Sequence, residues 1–104
     1  MAKLVWTEPA LIDLDEVAEY IALDNLSAAA NYVQKVFDRV DRLATYPNTG
    51  KRPTELPRTP YREVVVPPCR IFYRVEKNTV FILHVMRSER LLHPFLLDRR
   101  NRDK

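Results

Sequence analysis

Residues 70–86 read RIFYRVEKNTVFILHVM and contain the clearest secondary-structure pattern of the chain. Residues 70–76 have the alternating pattern of a strand, because successive side chains of a strand point to opposite faces. Ile71, Tyr73 and Val75 would lie on one face, and Arg70, Phe72 and Arg74 on the other. Lys77-Asn78 is a two-residue turn signal, and the apolar run that follows, residues 79–86, is too short between these flanks for a buried helix. The stretch therefore predicts a β-hairpin with one packed face and one face that carries guanidinium groups.

The segments before the hairpin predict a strand and two helices. Residues 3–7 are rich in β-forming side chains and stop at Pro9, which suits the first turn of a helix. Apolar residues then recur at steps of three and four, over a helix of about 16 residues: Leu11, Leu14, Ala18 and Ile21. Ser27 is the expected N-cap of a second amphipathic helix, which ends at Pro47.

Residues 47–60 contain four of the eight prolines and the single glycine, so they predict a loop between the helices and the sheet. Residues 61–66 are β-branched and predict another strand, which ends at Pro67-Pro68 because proline has no N–H to donate to a ladder. The predicted order is β-α-α-β-β-β. It gives an α+β fold in which a helical hairpin packs on one face of a small, mainly antiparallel sheet.

The carboxyl end is apolar but interrupted. Residues 91–97 contain Pro94, so we expect a short helix that docks weakly on the sheet. A basic run follows over residues 98–104, and we expect it to be a flexible tail. The length of 104 residues fits a single domain spanning 1–104.

Composition excludes several classes of protein. One cysteine and two histidines rule out a disulfide scaffold and leave too few ligands for a structural zinc site, so no metal is expected. With one glycine there is no Gly-rich phosphate loop, and no nucleotide cofactor is expected. No apolar stretch is long enough for a membrane span or a signal-peptide core, so we expect a cytoplasmic protein without membrane contact.

The charge is divided unevenly along the chain. Residues 1–49 contain four Lys/Arg and eight Asp/Glu, whereas residues 50–104 contain thirteen Lys/Arg and six Asp/Glu. The basic half suits either a polyanion or an acidic partner, and it also suits a solvated face with no ligand.

Several fragments in this order resemble the bacterial RelE/ParE toxins of type II toxin–antitoxin systems, of the plasmid-stabilisation type. The fragments are LVWT (4–7), YPNTG (46–50), YREVVV (61–66), CRIFYRV (69–75) and VFILHVMRSER (80–90). The resemblance implies a growth inhibitor that is held inactive by a cognate antitoxin. It also implies one of two targets, mRNA on the ribosome or DNA gyrase.

For the ribosome-dependent branch, the resemblance implies a set of cationic and proton-transferring side chains. Arg62 falls near a lysine of the family pattern, and Arg70 falls on its strand-three arginine. Arg87 or Ser88 stands at the position of the fourth-strand arginine. His93 stands near the position of a catalytic tyrosine, where it either transfers a proton or simply starts a helix. Val64 replaces a second lysine, so the set Arg62, Arg70, Arg87 and His93 is incomplete.

The resemblance also implies an antitoxin-binding surface. The acidic side chains of the antitoxin would meet arginines, and its apolar side chains would displace the carboxyl-terminal segment. The residues of this surface are Arg70, Arg74, Arg87, Leu91, Leu92, Phe95 and Leu96. Alternatively, the carboxyl-terminal segment closes the core permanently and the antitoxin binds elsewhere. Operator DNA would be bound only through the toxin–antitoxin complex.

Three functions therefore stay open from the sequence. The chain is a metal-independent mRNA endoribonuclease, a gyrase-inhibiting binding protein, or a toxin-like protein that acts only through antitoxin or operator-DNA binding. An arginine face serves RNA phosphates, gyrase carboxylates and antitoxin carboxylates alike.

Overall fold

The computed structural model describes all residues from Met1 to Lys104 and confirms the predicted order of elements. The strands are β1 Lys3–Trp6, β2 Arg62–Val66, β3 Cys69–Glu76 and β4 Thr79–Arg87. The helices are α1 Glu8–Ala22, α2 Leu26–Asp41 and α3 Leu96–Asp103, and a short 3-10 turn, Arg42–Ala44, follows α2. None of these helices has the length and apolar character needed to cross a membrane.

The four strands form one sheet in the order β1-β4-β3-β2. β1 runs parallel to β4, and the other two pairings are antiparallel, as the prediction of a mainly antiparallel sheet requires. Lys77 and Asn78 both have positive φ, 45° and 62°, which matches the right-handed twist of a tight two-residue hairpin. The predicted hairpin of β3 and β4 is confirmed.

The two long helices begin at short polar residues. Thr7 is the N-cap of α1, and Pro9 occupies its first turn as predicted. The predicted N-cap of α2, Ser27, is wrong: Asn25 Oδ1 accepts a hydrogen bond from the N–H of Ala28 at 2.9 Å. Asn25 is still extended, with φ −156°, so the helix has already begun when the chain reaches Ser27.

A first apolar core lies between the helical hairpin and one face of the sheet, as predicted. Val36 and Val40 of α2 are fully buried against Ile71, Tyr73 and Ile82 of the central strands. Burial of such side chains contributes about 1.5–3 kcal/mol each, and this core holds the hairpin on the sheet.

A second, smaller apolar cluster covers the other face, where we expected exposed guanidinium groups. Its buried members come from the sheet, the proline-rich loop and the carboxyl-terminal segment: Tyr61, Phe72, Leu83, Met86, Leu92 and Leu97. Because Leu92 and Leu97 are at most 4% exposed, the segment docks firmly on the sheet and not weakly.

Residues 98–104, which we expected to be a flexible tail, lie largely in a helix. The helix α3 continues to Asp103, the Arg100 guanidinium contacts Asp13, and Lys104 Nζ lies 2.8 Å from a carboxylate oxygen of Glu76. Basic side chains that looked solvated in the sequence therefore meet acids brought close by the fold.

The pairing of β3 with β4 contains an irregularity. Phe72 lies opposite His84, but Tyr73 lies opposite Ile82, so Leu83 is an extra residue in β4. The bulge turns two consecutive side chains toward the second cluster: Leu83 is buried in it, and the His84 ring stacks on Phe72 at 5.7 Å.

Candidate functional site

Arg70 lies on β3 and faces the second cluster, but its guanidinium donates four hydrogen bonds to two carboxylates. Nε donates to Glu63 at 2.5 Å, and Nη1 and Nη2 donate to the two carboxylate oxygens of Glu55 at 2.8 Å each. The hydrogen bonds to Arg70 hold the pKa of Glu55 at about 2, so the acid stays charged. One guanidinium is thus surrounded by two carboxylates, and the side chain is only 12% exposed.

Arg62 points to the opposite face of the sheet. It pairs in register with Tyr73, which belongs to the first core, whereas Arg70 is three residues away on β3 and on the other side. Its Nη1 donates to the carbonyl of Gly50 at 2.8 Å and to that of Asn48 at 3.3 Å. The structure therefore does not bring Arg62 and Arg70 together, and Val64, between them in the register, is part of the first core.

Arg87 and His93 line one groove, of about 590 Å³, between α1, the end of β4 and the segment that follows. Arg87 Nε donates to Glu89 at 2.6 Å, and its guanidinium lies 5.3 Å from the centre of the Tyr20 ring. His93 is exposed, its Nδ1 accepts from the N–H of Phe95 at 3.3 Å, and its carbonyl accepts from Leu96. The last two contacts shape the turn that starts α3.

The same groove contains a cluster that the sequence analysis missed. Asp13 of α1 lies 2.8 Å from His84 Nδ1, accepts from the N–H of Val85 at 3.1 Å, and accepts from Arg100 Nη1 at 2.5 Å. Arg100 also donates to the carbonyl of Leu83 at 3.0 Å. The cluster joins α1, β4 and α3 at one point.

The charge state of Asp13 follows from these contacts. Burial raises the pKa of Asp13, but the hydrogen bonds from His84, Arg100 and the Val85 N–H outweigh burial and lower the pKa below its usual value. Asp13 is therefore ionised at neutral pH. In the sequence it looked like one of several acids on a solvated helix face, and the signal that singles it out is the position of His84 inside an apolar strand.

The remaining side chains predicted to bind antitoxin differ in their exposure. Leu91 and Phe95 are exposed, at 89% and 71%, and Leu96 is half-buried and lines the groove. Leu92 is buried in the second cluster, and the guanidinium of Arg70 is bonded to Glu55 and Glu63. Arg74 is 29% exposed and lies 3.4 Å from Glu76. The four apolar residues do not share one helical face, because α3 begins only at Leu96.

Residues 4–92 match the model of a family described as the ParE toxin of type II toxin–antitoxin system, parDE. The chain belongs to the ParE toxin family. It is accordingly a toxin of a type II toxin–antitoxin system, and the resemblance to RelE/ParE toxins is confirmed.

Relatives of this ParE-family toxin carry both RelE and ParE names. It is 36% identical over 91 residues to Toxin RelE2 of Caulobacter vibrioides, an alignment that covers 88% of this chain and 100% of the relative. It matches the chromosomal ParDE system from P. aeruginosa with TM-score 0.72 and 29% identity, over 86% of this chain and 98% of that chain.

A further solved structure, the RelBE2 toxin–antitoxin complex from Mycobacterium tuberculosis, shares the fold. It matches with TM-score 0.53 and 20% identity over 84% of this chain and 98% of that chain. Membership of the ParE toxin family, together with the ParDE match at 29% identity, supports an antitoxin as the partner of this chain.

Proposed function

We propose that this ParE-family toxin stops growth by binding DNA gyrase, as a protein without a nuclease centre. Metal-independent RNA cleavage needs several cations that converge on one phosphate, together with groups that move protons. The observation that carries the proposal is the state of Arg70: two carboxylates within hydrogen-bond distance neutralise it and leave the local charge negative.

The surroundings of Arg70 point the same way. Arg62, the other cation carried over from the nuclease pattern, lies on the opposite face of the sheet, so the two guanidinium groups cannot clamp one phosphate. The place of a second lysine is taken by Val64, which is 3% exposed in the first core. A protein that acts by binding gyrase requires none of these three positions to be catalytic.

Ribosome-dependent mRNA cleavage is the second candidate function, and one observation favours it. The groove at the end of β4 holds two imidazoles, His84 and His93, beside the cations Arg87 and Arg90. Imidazoles can transfer protons at neutral pH, and arginines can stabilise charge on a phosphate. Under this alternative His93 is the exposed acid or base, and His93→Ala lowers mRNA cleavage by on the order of 10²-fold.

A paired assay separates the two candidates. The purified chain is added to gyrase with plasmid DNA, and in parallel to a translating extract with a defined mRNA. The proposal predicts loss of supercoiling and accumulation of broken DNA that depends on gyrase, with no new RNA ends. His93→Ala, which alters an exposed side chain, should leave this result unchanged. New RNA ends that disappear in His93→Ala, without broken DNA, would refute the gyrase proposal.

We also propose that the cognate antitoxin covers the groove at the end of β4. Leu91 in the groove and Phe95, whose ring lies 5.9 Å from that of His93, offer the antitoxin exposed apolar surface, and Arg87 in the groove is 35% exposed to acidic side chains. Arg74 does not line the groove, since it pairs with Phe81 toward the other end of β4. Operator DNA would then be read by the complex and not by the toxin alone.

This surface is tested by charge insertion. Leu91→Asp combined with Phe95→Asp should weaken antitoxin binding by at least about 10-fold, because each places a carboxylate in an apolar contact beside acidic partner residues. Leu26→Asp is the matched control, since Leu26 is 77% exposed and lies at the start of α2, outside the groove. Equal affinity of the double variant and the control would contradict the assignment.

A further inference from the structure

A second groove, of about 510 Å³, lies between α2 and the end of β2. Six of its nine lining residues carry charged or amide side chains, namely three cations, one acid and two amides: Lys35, Arg39, Arg42, Asp38, Asn31 and Gln34. The only apolar lining comes from Val65, Val66 and Pro67. The groove is separate from the one at the end of β4, and the two have no lining residue in common.

The cations of this groove are unpaired. Lys35, Arg39 and Arg42 form no ion pair, whereas Arg70, Arg74, Arg87, Arg100 and Lys104 all do. The acid in the groove, Asp38, accepts a hydrogen bond from Gln34 at 2.9 Å. The lining therefore carries three positive charges and one negative charge, a net charge of +2, and none of its cations forms an ion pair.

Arg62 extends this positive surface. Its guanidinium contacts only the carbonyls of Gly50 and Asn48, so its charge is not neutralised. Arg62 lies on the face of the sheet that the helical hairpin covers, next to the Tyr73 hydroxyl, which accepts from the Gly50 N–H at 2.9 Å. Burial raises the pKa of that hydroxyl, and the charges of Arg62 and Arg39 act against the rise. We call Lys35, Arg39, Arg42 and Arg62 the basic strip.

The strip also lies beside the outer edge of β2, which no other strand covers. The N–H and C=O of Glu63 point to the outer edge of β2, where they bond to Lys51 at 2.7 and 3.0 Å. Because alternate residues of a strand direct these groups to the same edge, those of Val65 point outward too, and no strand covers them. Val65 itself is 46% exposed at this edge.

The chemistry of the strip favours a phosphate backbone over a protein partner. Protein interfaces bury apolar and aromatic anchors and are depleted in lysine, and this groove has no aromatic lining. Phosphates are contacted by Arg, Lys, Asn and Gln side chains and by backbone N–H groups, the set present here. Residues 35, 39 and 42 rise about 10 Å along the helix, a length that faces about three phosphates of one strand.

We propose that the basic strip binds the phosphate backbone of duplex DNA without sequence preference. This inference rests on the proposed function only for its choice of nucleic acid, since a protein that acts on gyrase meets duplex DNA there. Operator recognition by a toxin–antitoxin complex is a separate property, because contacts limited to phosphates read no sequence.

The experiment measures binding of the purified chain to a labelled duplex of about 20 base pairs, by fluorescence anisotropy, without gyrase. Four phosphate contacts predict that affinity falls about 100-fold between about 50 and 200 mM salt. Lys35→Ala with Arg42→Ala should reduce that fall to about 10-fold, because two contacts are lost. Lys35→Arg with Arg42→Lys keeps both charges and should restore the original salt dependence.

The control is Arg99→Ala with Arg102→Ala, which removes the same charge from exposed, unpaired positions on α3. It should retain the salt dependence of the unmodified chain, and unchanged melting curves should accompany both alanine pairs, since all four side chains are exposed. Absence of binding at 50 mM salt, an equal loss in the control, or tighter binding to single-stranded RNA of the same length would each overturn the proposal.

Because gyrase is absent from this assay, the two proposals can fail separately. Gyrase-dependent DNA breakage without binding to bare duplex would leave the proposed function standing and overturn the basic strip. Binding to duplex with no effect on gyrase would do the reverse.

Discussion

Replacing Arg70 with alanine tests the internal ion cluster most directly. The change removes four hydrogen bonds, two of 2.5 and 3.2 Å to Glu63 and two of 2.8 Å to Glu55. It also removes a guanidinium that lies 4.8 Å from the centre of the Phe72 ring. Two carboxylates, 3% and 21% exposed, would then face each other without a cation.

Breaking a buried ion pair by removing one partner costs about 3–5 kcal/mol, because the remaining charge is buried and uncompensated. Glu55 can turn toward water, so we expect the lower end, about 3 kcal/mol. For a domain of this size that lowers the melting temperature by about 12 °C. A loss of toxicity in Arg70→Ala would therefore report on folding and not on a lost catalytic group.

The loss of stability in Arg70→Ala should depend on pH in a defined direction. The pKa of Glu55 is lowered to about 2 in the folded chain, against about 4.3 when unfolded. The stabilisation from this group is complete above pH 4.3 and is lost as the pH falls toward 2. Arg70→Ala lacks this stabilisation, and protonation at low pH relieves the repulsion between its two uncompensated carboxylates. The difference in melting temperature between Arg70→Ala and the unmodified chain should therefore be largest at pH 7 and shrink below about pH 5.

Thermal denaturation followed by circular dichroism between pH 3 and 7 measures both effects. Arg58→Ala is the control, because Arg58 is exposed and forms no ion pair. Adding Glu63→Gln to Arg70→Ala should recover part of the loss, since it removes one uncompensated charge. The reasoning is refuted if Arg70→Ala melts within about 2 °C of the unmodified chain at pH 7, or if the difference grows as the pH falls.

Three further changes have definite outcomes. Gly50→Ala places Cβ 2.5 Å from the Tyr73 hydroxyl, which must move and lose its hydrogen bonds, so calorimetry should show about 2 kcal/mol less stability. Asp13→Ala should cost about 2 kcal/mol in urea denaturation at pH 7, and the loss should fade below pH 4, because the lowered pKa of that carboxyl stabilises only its ionised form. Truncation after Arg90 should give aggregates in size-exclusion chromatography, whereas deletion of the last two residues should leave a monomer, because only the longer deletion uncovers the second cluster.

The pattern of the sequence predicted the elements well because their signals are local. The arginines at positions 70 and 74, the apolar residues at 71, 73 and 75, and the Lys77-Asn78 turn are enough to predict the β3–β4 hairpin. The N-cap of α2 was misplaced because two short polar residues, Asn25 and Ser27, compete there and only the backbone decides between them.

The site was harder to predict because its partners are distant in sequence. Glu55 comes from a proline-rich loop with no periodic pattern, and its contact with Arg70 depends on how that loop folds over the sheet. Glu63 did carry a signal, since it alternates to the same face as Arg70 in the neighbouring strand. Asp13 and Arg100 are 87 residues apart, and no spacing rule connects them.

β1 pairs with β4 only as far as Ile82, so the second half of β4 forms an outer edge of the sheet. There the carboxylate of Asp13 accepts from the Val85 N–H, and the guanidinium of Arg100 donates to the Leu83 carbonyl. The two side chains occupy the donor and the acceptor that an incoming strand would use. A carboxylate and a guanidinium thus satisfy the backbone groups of this edge, which disfavours edge-to-edge pairing with another copy of the chain.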